Sequence, residues 1–172
     1  MLFKTLGDKS APAVLFFHAM GVTGESSGPV AAELADRFFC VMPTSTVYCA
    51  GQTYADKADD VRQIKEFLRG QGVERVEMVV AAGKALSYGN IRRQMADSLE
   101  DKPFPPLSKE LQKRCFFEFG SAEDHFKYRA AVMQAYPAGN FPVFDGYNHM
   151  QYQIRDPKGF AAMMELPFLQ KE

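Results

Sequence analysis

Residues 12–28 read PAVLFFHAMGVTGESSG, an apolar run that leads into a loop of small and polar residues. The continuous run from Pro12 to His18 is typical of a strand covered on both faces, as in a parallel sheet. In the loop that follows, Ser27 is placed to cap a helix that has Pro29 in its first turn. The stretch therefore predicts a strand, a glycine-rich loop and a helix in succession, the repeating unit of α/β folds.

The rest of the chain continues this alternation. Residues 54–70 place apolar side chains at spacings of three and four before Gly70, which predicts an amphipathic helix. We expect one α/β domain over residues 1–172, a three-layer sandwich in which helices flank a mostly parallel sheet. Further core strands are predicted at 38–44, 73–81, 115–120 and 141–146, and further helices at 108–114, at 126–136 and from Asp156 onward.

The composition argues against several classes of partner. A net charge of −1 over 172 residues gives no electrostatic footprint for nucleic acid or an anionic membrane. No apolar run approaches the ~20 residues that span a bilayer, and the first residues lack the order of a signal peptide, so we expect a cytoplasmic protein. Cys40, Cys49 and Cys115 have no C-x-x-C spacing. We therefore expect reduced, buried thiols, with no disulfide framework and no metal site.

Three loops that follow predicted strands contain the candidate site residues, because open α/β sheets place their sites at the carboxyl ends of strands. The first loop begins HAMG at His18. A turn of this kind could direct backbone N–H groups into a cleft and stabilise negative charge on a carbonyl oxygen. A flexible glycine loop without a function is the alternative.

The second and third loops contain an acid and a base. FGSAEDHF, residues 119–126, places Glu123 and Asp124 just past a strand, where a carboxylate could orient an imidazole. Asp124 could instead cap the following helix. FDGYNHMQYQ, residues 144–153, places His149 after the last strand, where a histidine could act as a general base. For His149 alone, a hydrogen-bonded loop residue is the simpler interpretation.

Together, these loops resemble a known family. The order strand, acid, helix, strand, histidine, helix resembles the C-terminal third of the α/β-hydrolase family, and residues 12–44 resemble its N-terminal half. The resemblance covers about 12–81 and 106–164, and is strongest to small bacterial carboxylesterase-type hydrolases with an inserted helical cap. It implies a serine hydrolase that acts on a small-molecule ester or a related acyl compound, without a cofactor.

The resemblance also implies roles for individual residues. His149 takes the place of the general base, and Glu123 that of the acid that orients it, or Asp124 if the loop is one residue longer. The oxyanion hole is implied at the backbone N–H of Met20, with Ala19 in the place of the small residue before it.

The sequence departs from the family at the nucleophile. The family's elbow, small-x-Ser-x-small, should begin at the end of VEMVV, residues 76–80, but residues 81–85 read AAGKA, with Gly83 where the serine should stand. Ser87 in ALSYG meets the pattern four residues later, although it also suits a helix N-cap.

Chain length favours a missing segment. A full sheet of this family needs more than about 200 residues at roughly 30 per βαβ unit. We therefore expect the elbow, its helix, the next strand and most of the cap to be absent between Val80 and Ala82, with residues 85–107 a remnant of the cap and the return to the sheet.

Two functions of different classes remain open. One is a serine hydrolase, of which this shortened chain is inactive unless Ser87 is the nucleophile, and the other is a non-catalytic binding or interaction domain of the same fold. A cysteine hydrolase is not favoured, because no elbow residues surround Cys49, and no glycine-rich motif for a nucleotide follows any strand. A sheet cut short would leave an edge that could pair with a second copy, so a homodimer is an open expectation.

Overall fold

The computed structural model describes residues 1–19, 21–81 and 106–169, which belong to two compact units, Met1–Glu100 and Asp101–Glu172. The stretch that contains Ser87 and almost all of the expected cap remnant lies outside the described residues. Each unit contains its own sheet. The expectation of one domain over the whole chain stays a prediction.

The first unit is built on a four-stranded sheet in the order β1-β3-β2-β4. Strand β2 pairs in parallel with both β3 and β4, whereas β1 pairs antiparallel with β3. The predicted core strands are present, and β1, a short alternating segment at the sheet edge, is an addition that the sequence did not predict. The strands are β1 Leu2–Leu6, β2 Ala13–Phe17, β3 Phe39–Thr44 and β4 Val76–Ala81.

Helices α1, Gly28–Leu34, and α2, Lys57–Gly70, follow β2 and β3 along the chain. Ser27 precedes α1 as predicted, but its side chain makes no capping hydrogen bond, because the 3-10 turn Gly24–Ser27 leads directly into the helix. Helix α2 has a side-chain cap, since Asp56 accepts a 2.7 Å hydrogen bond from the Asp59 N–H.

One face of this sheet packs against α2. The contacting side chains come from β2, β3 and the apolar stripe of α2 that the spacing predicted. This cluster consists of Ala13, Leu15, Phe39, Val41, Ile64 and Leu68, all buried. The mostly parallel sheet flanked by helices that the sequence predicts is confirmed.

The second unit contains two short parallel strands, β5 Phe119–Gly120 and β6 Val143–Phe144. They are shorter than predicted because Pro142 has no N–H to donate to the ladder. An isolated parallel bridge, Phe116 to Asn140, is what remains of the pairing on the N-terminal side.

The described part of this unit contains four α-helices: α3 Lys109–Gln112, α4 Arg129–Ala135, α5 Gln151–Arg155 and α6 Pro157–Leu169. The predicted caps are present at two of them. Ser108 Oγ accepts a hydrogen bond from the Leu111 N–H, and Asp156 Oδ1 accepts one from the Gly159 N–H. A 3-10 helix, Asp124–Tyr128, precedes α4 and takes up the first part of the helix expected at 126–136. None of the described helices is both long and apolar enough to cross a membrane.

Candidate active site

An imidazole and a carboxylate meet where the two strands of the second unit end. The Nδ1 atom of His149 lies 2.6 Å from Oε2 of Glu123. The carboxylate side chain is 4% exposed and the imidazole 38%, so a buried acid supports a base that solvent can reach. With the Nδ1–H donating to the acid, the neutral ring carries its lone pair on Nε2, which is the nitrogen able to accept a proton.

Glu123 is held on both of its carboxylate oxygens. It lies between β5 and the 3-10 helix, and its Oε1 accepts a hydrogen bond of 3.2 Å from the Gly120 N–H. The second oxygen is the one that meets His149. Because each oxygen has its own donor, the carboxylate plane is fixed and the imidazole is oriented with it.

Hydrogen bonds tie the loop after β5 to the loop after β6. The Ala122 N–H donates to the Tyr147 carbonyl at 3.1 Å. The Ser121 hydroxyl donates to Asp145 Oδ1 at 2.9 Å and accepts from the Gly146 N–H at 2.8 Å. The carboxyl ends of parallel strands lie at one edge of a sheet. These hydrogen bonds hold the two loops together there, and with them Glu123 and His149.

The approach of the two loops requires a glycine at position 120. A Cβ atom there would lie 2.1 Å from the Tyr147 carbonyl oxygen, closer than any real contact. The other unusual backbone position is Met150, next to His149, with φ of 59°. A left-handed conformation costs a non-glycine residue about 1–2 kcal/mol, and such strain is concentrated at functional sites. Sequence reasoning missed both residues.

Of the two candidate acids, the structure brings Glu123 to His149. Asp124 is exposed in the first turn of the 3-10 helix, and Glu123, not Asp124, holds the N-cap position. The Glu123 side chain therefore turns inward to His149, and the Asp124 side chain turns to solvent.

The loop after β2 is fixed by two side chains. His18 Nδ1 lies 2.7 Å from the Ala19 carbonyl, and His18 Nε2 accepts a 3.0 Å hydrogen bond from the Ser45 N–H. The Gly21 N–H donates to the Tyr48 hydroxyl at 2.9 Å. Ala19 is buried, while Met20, the predicted oxyanion donor, lies outside the described residues. That this loop and His149 form one site stays a prediction.

Solved structures show the same fold. No family model matches the sequence, and a search of curated proteins finds no match. A serine hydrolase from Cycloclasticus zankles superposes with a TM-score of 0.66 at 12% identity, over 99% of this chain and 95% of that one. A carboxylesterase from Bacillus subtilis gives 0.64 at 13%, over 99% and 87%. An α/β-hydrolase family protein from Desulfitobacterium hafniense gives 0.64 at 12%, over 97% and 100%.

This chain has the α/β-hydrolase fold. Identities of 12–13% carry the likeness no further than the fold. Within an α/β-hydrolase fold, the nucleophile elbow would follow β4, and residues 82–105 lie outside the described residues. The candidate Ser87 and the expected gap between Val80 and Ala82 therefore stay predictions.

Another carboxyl group, close in sequence to Glu123, has an unusual pKa. Glu118 is half-buried just before β5, and burial raises its pKa to about 7. Burial also raises the pKa of Tyr152, with further contributions from the charges of Asp156, Tyr147 and Glu118. Glu118 and Tyr147, which lies in the His149 loop, thus both act on the pKa of Tyr152, and no local pattern in the sequence signals this cluster.

The sulfur and metal chemistry of the described residues is limited. All three cysteines are free, and Cys40 and Cys49 are buried as predicted. Cys115 is only partly buried, so the prediction was wrong there. Within the described ranges, no group of three or more His, Cys, Asp or Glu side chains is arranged to hold a metal ion.

Proposed function

We propose that this chain carries the acid–base pair and the oxyanion loop of a serine hydrolase for small carboxylic esters or related acyl compounds. The observation that supports this most is the 2.6 Å hydrogen bond between Glu123 and His149 at the ends of two parallel strands. In this fold, that is where an acid and a base are useful to acyl transfer.

The proposed reaction divides the work among three parts of the chain. A serine hydroxyl attacks the ester carbonyl, and His149 Nε2 takes the hydroxyl proton and then gives it to the departing alkoxide. Glu123 stabilises the imidazolium that forms in between. Backbone N–H groups around Ala19 and Met20 stabilise the negative oxygen of the tetrahedral intermediate. Water then releases the acyl group with the same base.

A serine-directed fluorophosphonate probe tests for the nucleophile. Labelling of the folded chain that disappears in Ser87→Ala would identify Ser87 as the attacking residue. If the folded protein takes up no probe, this chain has no serine nucleophile, which is the outcome that residues 81–85 favour. An identical measurement on His149→Ala checks that labelling depends on the base.

Neighbouring acids provide a matched pair of variants for an esterase assay. If the probe labels the chain, Glu123→Gln is expected to lower kcat for p-nitrophenyl acetate and butyrate by about 10²-fold or more, because the imidazole loses its orienting acid. Asp124→Asn removes the same charge one residue away, on an exposed side chain, and is expected to leave kcat unchanged. Equal effects of the two substitutions would contradict the assignment of Glu123.

The alternative proposal is a non-catalytic domain of the same fold, and the glycine at position 83 favours it. In that case the folded chain shows neither probe labelling nor ester hydrolysis that depends on His149. We also propose a cytoplasmic location and a homodimer, since β4 ends the strand order of its sheet among the described residues. Light scattering after size-exclusion chromatography measures the mass directly, and a monomer would contradict the dimer.

A further inference from the structure

A carboxylate outside the dyad lies at the centre of the first unit's hydrogen-bond network. Asp60 of α2 is 9% exposed. It accepts hydrogen bonds from Ser45 Oγ at 2.5 Å and from Thr46 Oγ1 at 2.7 Å, both from residues just past the end of β3. A buried carboxylate is destabilising unless it is hydrogen-bonded, and these two hydroxyls meet that need.

The same segment contacts the loop after β2. The Ser45 N–H donates to His18 Nε2 at 3.0 Å, and His18 Nδ1 lies 2.7 Å from the Ala19 carbonyl. A continuous series of hydrogen bonds therefore runs from Asp60, through Ser45 and His18, to the peptide group that joins Ala19 to the next residue.

The ring of His18 can satisfy both contacts in only one neutral form. Nε2 accepts a backbone N–H, so it carries the lone pair, and the proton lies on Nδ1, where it donates to the Ala19 carbonyl. An imidazole side chain in water prefers the opposite tautomer, with the proton on Nε2. The tautomer of His18 therefore reports whether Ser45 is held in place.

We propose that Asp60 is a positioning residue: by holding Ser45, it fixes the tautomer of His18 and the orientation of the Ala19 carbonyl. A peptide carbonyl and the N–H of the following residue are parts of one plane, so fixing the Ala19 carbonyl also directs the amide that would stabilise the oxyanion. Only this last consequence rests on the proposed function. The hydrogen-bond relay itself does not.

Asp60 is well suited to this role because its own position is rigid. It lies in the first turn of α2, which Asp56 caps, and the apolar stripe of α2 packs on the sheet. A rigid element that holds a loop through hydrogen bonds sets a site more accurately than the loop could alone.

Long-range ¹H–¹⁵N correlation NMR of the histidine rings tests the relay without any requirement for catalysis. The wild-type chain is expected to show His18 with its proton on Nδ1. Asp60→Asn is expected to shift His18 toward the Nε2–H form and to move the Ser45 amide resonance. The reason is that the asparagine side chain has one accepting oxygen, whereas the two hydroxyls donate to the two oxygens of the carboxylate. The control is Asp59→Asn, which removes the same charge from the adjacent residue, whose carboxylate contacts Arg62 and Gln63.

A second variant keeps the test decisive if Asp60→Asn does not fold. Ser45→Ala leaves Asp60 and the Ser45 backbone intact and removes one hydroxyl, so a smaller shift in the same direction is expected. An unchanged Nδ1–H tautomer in a folded Asp60→Asn or Ser45→Ala chain would overturn the proposal. In a chain that hydrolyses esters, Asp60→Asn should lower kcat with little change in KM. The tautomer measurement decides the relay whether or not the wild type hydrolyses esters.

Discussion

Replacement of Glu118 by glutamine should change how the stability of this protein depends on pH. Burial raises the pKa of Glu118 from its ordinary value of 4.5 to about 7. The folded state therefore holds a proton on this carboxyl between these two pH values, where the unfolded state has lost it. Folding is most favourable below pH 4.5 as far as this group is concerned, and that contribution is lost as the pH rises through 7.

The size of the effect follows from the same shift. One pKa unit corresponds to about 1.36 kcal/mol, so the ionised side chain destabilises the fold by up to about 3 kcal/mol above pH 7. Glutamine has nearly the shape of the protonated acid and never ionises. Glu118→Gln should therefore match the wild type in stability near pH 4.5 and exceed it by up to about 3 kcal/mol at pH 8.

Urea denaturation followed by far-ultraviolet circular dichroism measures this difference, since the chain has no tryptophan for fluorescence. Free energies of unfolding of both proteins at intervals from pH 4.5 to 8.5 would give the two curves. Glu33→Gln, at an exposed position of α1, is the control and should leave the curve unchanged. Parallel curves for the wild type and Glu118→Gln across this range would refute the assignment of a raised pKa to Glu118.

Three further substitutions or reactions test the packing that holds the fold and the site. Gly120→Ala should lower the free energy of unfolding, because the new methyl group has no space at position 120. Gly28→Ala is the control and should not lower it, because position 28 has open space. The urea midpoints of the two variants and the wild type measure the difference. Asp56→Ala should lower the free energy of unfolding by about 1 kcal/mol through loss of the α2 cap, and an unchanged midpoint would show that the cap contributes nothing. In the native protein, Cys115 should react with a thiol reagent well before Cys40, whose pKa burial raises to about 12.

The sequence predicted the sheet well where the hydrophobic pattern was strong. The core strands and α2 follow from continuous apolar runs and from a helical spacing, both of which are local signals. Strand β1, Leu2–Leu6, was missed because its residues are at most partly buried and it lies at an edge. The shortening of β5 and β6 was foreseeable, since Pro142 stands inside the predicted strand.

The site was predictable in outline and not in detail. Loop order after successive strands was enough to suggest an acid paired with His149. The choice between Glu123 and Asp124 depends on where the 3-10 helix begins, which a single sequence does not indicate. The requirement for Gly120, the strain at Met150 and the relay from Asp60 all arise from contacts between segments distant in sequence, and no local pattern signals them.

The short distance along the chain between acid and base has an evolutionary consequence. Glu123 and His149 are 26 residues apart, and closing a loop of that length costs about 3 kcal/mol in chain entropy by a logarithmic estimate. The contacts that orient the pair come from residues 120–150, which extend only slightly beyond this stretch. Such a segment is self-contained, so insertions or deletions upstream of Pro106 would leave the contact between Glu123 and His149 intact.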